Sequence, residues 1–256
     1  MIEYKSSAIT IWVDESLNIK IGGKEYVLMG YLITNSYIEE LDFLRKLKVA
    51  RKETNSWHTM HGCKITISDV RQIKLIREWM KIFNEDNNVY FHTFLYKVDR
   101  RYIPRGETYE HYFAKQSIFA LANKMKDSGS LIQTMFREIK TINIIFDRRR
   151  DYEGGGGEVV NGLEEVYRSK ITEQIKLITG KNITIRFSFV NSRCFDAIQF
   201  TDIFLSLFRN KILENDKFFT EIFDEFFIND LDDDVKILPL EQIFGEDSKL
   251  NYFIGK

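Results

Sequence analysis

Two apolar, β-branched runs near the start of the chain, residues 8–13 and 26–34, stand on either side of Gly22-Gly23 and read as a hairpin-like pair of strands. After them the period changes. Leu41, Leu44, Leu47 and Lys48 recur at helical spacing, and Val70, Ile73, Ile76, Met80 and Phe83 do so after a polar connection. Residues 89–98 are extended again, 107–126 read as a helix, and 141–146 form a short β-branched strand ending at Asp147. Leu163, Val166, Ile171, Ile175 and Ile178 mark a further helix closed by Gly180; a strand at 183–190 and a strongly apolar helix at 195–213 follow. A strand pair followed by strand-helix alternation predicts an α/β fold with a mixed central β-sheet and helices on both faces.

Nothing divides the chain. Its 256 residues include two prolines and fourteen glycines, four of them consecutive at 154–157, which leaves no proline- or glycine-rich linker. Residues 1–213 are expected to form one α/β domain, with 214–256 an acidic, Phe-rich extension packed on it. Thirty-seven basic residues against thirty-eight acidic give a formal charge of -1, so affinity for nucleic acid would have to come from a local patch. No stretch approaches the roughly 20 apolar residues of a membrane span, and the start MIEYKSS lacks the apolar core of a signal peptide. A cytoplasmic location without membrane contact is the expectation. Cys63 and Cys194 have no CxxC neighbours and are expected to be reduced, partly buried thiols.

Acids at three places carry the chemistry. Asp14 and Glu15 follow the first apolar run and Asp147 follows a later one; carboxylates at the carboxyl ends of strands in an open α/β sheet face the crevice where ligands bind. Acids after strands also serve as turn formers and helix caps. Asp202 lies on a helix face shared with Phe195, Ile198 and Leu205, where a carboxylate needs compensation by a metal ion or a basic side chain. Converging on one sheet end, these carboxylates would make a hard-oxygen site suited to Mg²⁺ or Mn²⁺. Two such ions about 4 Å apart activate water and stabilise a leaving oxygen in phosphodiester cleavage.

Val13-Asp14-Glu15-Ser16, the strand ending in Asp147, Ser192, and the run Gln199-Phe200-Thr201-Asp202 together resemble the domain-of-unknown-function 3800 family. The resemblance spans residues 8–210. It implies a ribonuclease H-like fold, a metal-dependent nuclease-like active site and a link to mobile elements or phage defence. Leu17 replaces the glycine of the family's Asp-Glu-Ser-Gly, and Phe200-Thr201 replace the usual Leu-Ala; neither change removes an acid. Glu15, Glu39, Glu40 and Asp69 are the candidates for a fourth acid. A His-containing segment with a nearby Lys tends to follow the family's second, glycine-containing strand, which makes His61 and Lys64 candidates for positioning a phosphate or moving a proton.

Other motifs carry less. His58, His61 and Cys63 lack the second ligand pair of a structural zinc site. The run Arg45, Lys46, Lys48, Arg51 and Lys52 and the run Arg148, Arg149 and Arg150, which directly follows Asp147, could both hold phosphates, although the first reads better as a solvated charged face. The glycines at 154–157 make no phosphate loop, because no Gly-Lys-Ser/Thr follows and Glu158 stands where the phosphate would sit. No Gly-x-Ser-x-Gly elbow occurs. The leading expectation is a metal-dependent phosphodiester hydrolase acting on RNA or DNA by a two-metal mechanism. Asp14, Asp147 and Asp202 would bind Mg²⁺ or Mn²⁺, with Glu15 assisting. The alternatives are a non-catalytic ribonuclease H-like assembly protein that docks a protein partner through its acidic carboxy-terminal part, and a PIN-type sandwich lacking the antiparallel first pair.

Overall fold

A computed structural model of the protein describes residues 8–21, 23–34, 37–62, 65, 68–86, 88–97, 139–147, 172–180, 182–213 and 216–227. Strands β1 (Ala8–Ile21) and β2 (Lys24–Thr34) pair antiparallel from Thr10 opposite Thr34 to Ile21 opposite Lys24. Gly23 (φ 75°) lies in the turn between them, in the left-handed region where glycine carries no steric penalty. The hairpin is longer than its apolar pattern suggests. Asp14 and Glu15 do not stop β1 at residue 13, because Gly30 and Met29 stand opposite them and continue the ladder, which slips register only between Ser16 and Ile19.

Strand β3 (Val89–Lys97) adds antiparallel to β2, while β4 (Thr141–Asp147) and β5 (Thr184–Val190) add in parallel on the other side of β1. The sheet order is β3-β2-β1-β4-β5. In this mixed sheet Val13 is level with Phe146, so the next residues on the two neighbouring strands are Asp14 and Asp147.

Helices α1 (Tyr37–Glu53), α2 (Val70–Glu85), α3 (Thr172–Thr179), α4 (Asp196–Leu213) and α5 (Lys217–Phe227) complete the described elements. Helix α4 lies on β1 and β2, α1 lies beside it, and α5 contacts both α4 and α2. Trp12, Leu28 and Leu32 face this helical layer, which meets them with Phe43, Trp79, Phe83, Phe200 and Phe204. The opposite face of β1 and β2, with Ile9, Ile11, Val13, Val27, Tyr31 and Ile33, is equally buried; near-continuous apolar strands are read when both faces are covered. No helix among the described residues is long and apolar enough to cross a membrane.

Phe200 explains the departure noted at the late motif. Its ring stands 5.7 Å from Phe43, 6.2 Å from Trp79, 5.6 Å from Phe83 and 5.8 Å from Phe204, at the centre of an aromatic cluster no leucine would fill in the same way. Thr201 satisfies its buried hydroxyl within the helix, donating to the Ala197 carbonyl at 2.8 Å. Gly30 matters for space. A Cβ there would stand 2.7 Å from Leu205 Cγ and 2.9 Å from Phe91 Cζ, so its bareness lets α4 approach the sheet directly across from Asp14. The helix expected at 107–126, the tetraglycine and residues 228–256 lie outside the described residues.

Candidate metal centre

Alternation along β1 puts Asp14 on the same face as Trp12, beneath α4, and only 8% of it is exposed. Its Oδ1 accepts the Glu15 backbone N–H at 2.9 Å. Burial raises its pKa well above the usual carboxylate value, and the negative charges of Asp202, Glu15 and Asp147 raise it further; the backbone hydrogen bond opposes them. Two further elements, β4 and α4, thus bring their acids within electrostatic reach of Asp14 on β1.

Asp147 closes β4, and its Oδ1 accepts the Ser192 N–H at 2.9 Å across from the carboxyl end of β5. Asp202, about a quarter exposed, accepts the Gly62 N–H through Oδ2 at 3.2 Å. His61 Nδ1 stands 3.6 Å from the same oxygen, an ion-pair distance longer than a hydrogen bond. The apolar helix face read around Asp202 is therefore completed by a polar segment, residues 56–62, laid against α4.

The structure treats the four fourth-acid candidates differently. Glu15 follows Asp14 directly and acts on its charge. Glu40 accepts from Thr10 Oγ1 at 2.8 Å, and burial raises its pKa against that bond; it is not among the acids that raise Asp14. Asp69 caps α2, accepting the Gln72 N–H at 3.1 Å. The side chain of Glu39 lies outside the described residues, as do Lys64, Cys63, Arg148, Arg149 and Arg150.

Two expectations are corrected: Cys194 is a free thiol but exposed where partial burial was expected, and the basic run of α1 is not wholly a solvated face. Arg45 and Lys46 reach Asp42 on the surface, but Arg51 is 8% exposed and turned inward; its partners are Asp196, Ser56, His58 and Gln199, with the Trp79 ring 5.0 Å from its Cζ. An arginine at the carboxyl end of an amphipathic helix looks solvated in sequence. What buries it here is a loop and a second helix that the periodicity of α1 does not contain.

The donor chemistry suits a hard divalent cation: all the carboxylate oxygens come from acids whose mutual repulsion a cation relieves. Among the described residues, no three His, Cys, Asp or Glu side chains are gathered closely enough to close around an ion as they stand. Each of the three aspartates spends an oxygen on a backbone amide. Magnesium sites commonly use one or two carboxylates and complete their shell with water and substrate phosphates, so a full protein cage is not required.

No protein-family model matches the chain, and no curated protein does. Among solved structures it is similar to the ribonuclease H2 of Pyrococcus horikoshii OT3, at 12% identity and TM-score 0.41, over 80% of this chain and 74% of that one. It is also similar to a chain of the PCNA:RNase HII complex of Archaeoglobus fulgidus, at 13% identity and TM-score 0.37, over 86% and 89%.

Proposed function

We propose that the protein is a metal-dependent phosphodiester hydrolase of ribonuclease H-like fold that acts on RNA or DNA. The observation carrying this reading is Asp14, a buried strand carboxylate whose charge is disfavoured by Asp202 and Asp147 from two other elements at the same end of the sheet. Acids set together at such cost are compensated when a divalent cation binds. Asp14, Asp147 and Asp202 would hold it, and Glu15 would add negative charge nearby. The bound ions would supply Lewis-acid stabilisation of the phosphate oxygens and a lowered pKa for water. His61, next to Asp202, is placed to hold or pass a proton at the edge of the site. Lys64 and Arg148, Arg149 and Arg150 are proposed from sequence as phosphate contacts. Residues 214–256 are read as an extension on the domain, supported for its first helix by the contact of Phe223 with Phe208 and Phe204.

Mn²⁺ titration by calorimetry on the wild type, followed by cleavage assays on RNA and DNA, tests the reading. Asp14→Asn, Asp147→Asn and Asp202→Asn should each abolish Mn²⁺- or Mg²⁺-dependent cleavage in a folded protein. Undiminished rates in all three would overturn the assignment, and a wild type that neither binds Mn²⁺ nor cleaves would return the chain to the assembly-protein reading.

A further inference from the structure

Gln199 is 2% exposed, and its side-chain amide bonds the segments that hold the acids. Its Oε1 accepts both the Met60 N–H and Arg51 Nη2, each at 2.8 Å, while Nε2 donates to the Ser192 carbonyl at 2.8 Å. A carbonyl oxygen has two lone pairs, so both are used and the amide can point only one way. The two backbone segments it grips are the ones that hold the carboxylates. Ser192 gives its carbonyl to Gln199 and its N–H to Asp147. The segment that gives the Met60 N–H to Gln199 gives the Gly62 N–H to Asp202, three residues along α4 from Gln199 itself.

Arg51 fixes the same arrangement from behind. Its Nη1 donates to the Ser56 and His58 carbonyls at 2.9 Å, and its Nε donates to Asp196 at 2.7 Å. Asp196 begins α4 and balances the buried charge. One guanidinium therefore ties the end of α1, the 56–62 segment, the start of α4 and the Gln199 amide, using the planar fork that a lysine cannot reproduce.

We propose that Gln199 and Arg51 are positioning residues of the acidic site, setting Asp147 through Ser192 and Asp202 through the 56–62 segment. The inference rests on the reading of those acids as a metal centre. Outer partners that orient metal-binding groups act through placement, and losing one weakens metal affinity about 10- to 100-fold.

Gln199→Glu keeps the shape and both acceptor roles but opposes a carboxylate oxygen to the Ser192 carbonyl. Arg51→Lys keeps the charge and loses the fork. Both variants, the wild type and Asp224→Asn, which disturbs the Lys211–Asp224 pair between α4 and α5, would be titrated with Mn²⁺ by calorimetry and followed by amide hydrogen exchange. The expected result is an Mn²⁺ Kd weakened about tenfold or more in the first two, with faster exchange at Gly62 and Ser192, and neither change in Asp224→Asn. Should Gln199→Glu fail to fold, Arg51→Lys decides. Unchanged Kd and exchange in the folded variants would overturn the inference, and so would an equal loss in Asp224→Asn. A wild type that binds no Mn²⁺ would instead remove the metal-centre reading, and exchange at the two amides would then decide the positioning claim alone.

Discussion

Gly62 rests so close to Ser206 of α4 that a Cβ on Gly62 would run into the Ser206 side chain and stand 3.0 Å from the Asp202 carbonyl oxygen. The glycine is needed for room, and the room brings its N–H within 3.2 Å of the Asp202 carboxylate. Gly62→Ala should push the 56–62 segment off the helix, costing about 1–3 kcal/mol of stability, as overpacking does. Mn²⁺ affinity should fall with it, and Ser206→Gly in the same chain should recover part of the affinity; calorimetry on the single and double variants checks both.

Asp14 makes stability depend on pH in a defined direction. Its folded pKa is raised above the ordinary 3.8, so its protonated form favours the fold. That contribution is full below about pH 3.8 and is lost as pH rises through the raised folded value. Asp14→Asn should therefore raise the metal-free melting temperature at neutral pH by a few degrees, at roughly 2–4 °C per kcal/mol for a chain of this size. It should also flatten the pH dependence above 3.8. Thermal melts in chelator across pH measure this, and saturating Mn²⁺ should reverse the order of the two proteins.

His61 is a third exposed, and its ring meets the acids only through the 3.6 Å approach of Nδ1 to Asp202 Oδ2. His61→Gln should leave the fold intact and keep Mn²⁺ affinity within a few-fold, while kcat falls on the order of 100-fold, the lower range for loss of a positioned proton carrier. Single-turnover cleavage at saturating Mn²⁺ separates the two effects.

Phe200→Ala should cost about 3–5 kcal/mol, because the ring it removes has aromatic neighbours on α1, α2 and α4 and no exposed surface to give back. Phe200→Leu, which keeps a branched apolar side chain in the cluster, should cost less than Phe200→Ala. Urea denaturation of both variants gives the comparison.

Much of this was readable from period and punctuation. The antiparallel pair around Gly23, the amphipathic α2 and the strands β4 and β5 all follow from spacing that local physics dictates. The end of β1 was not, since Asp14 and Glu15 look like a stop until Gly30 and Met29 are known to lie opposite. Asp14, Asp147 and Asp202 stood out as acids in apolar settings, but their mutual proximity is a property of the sheet order. Arg51 was misread because its burial is made by residues up to 148 positions away. Gln199 was visible only as a letter in a motif; its role depends on Ser192 and Met60 reaching it from opposite sides.

Strand β1 runs on to Ile21 although β4 leaves it at Val13. Beyond Asp14 the described sheet therefore continues as its antiparallel half alone, with β3 beside β2 as far as Tyr26 opposite Lys97, for roughly 25 Å at about 3.3 Å per residue. The acids sit on a stair tread with a riser along one flank. Shortening the β1–β2 hairpin beyond Ser16 would lower that flank while leaving the Val13–Phe146 register that sets Asp14 beside Asp147.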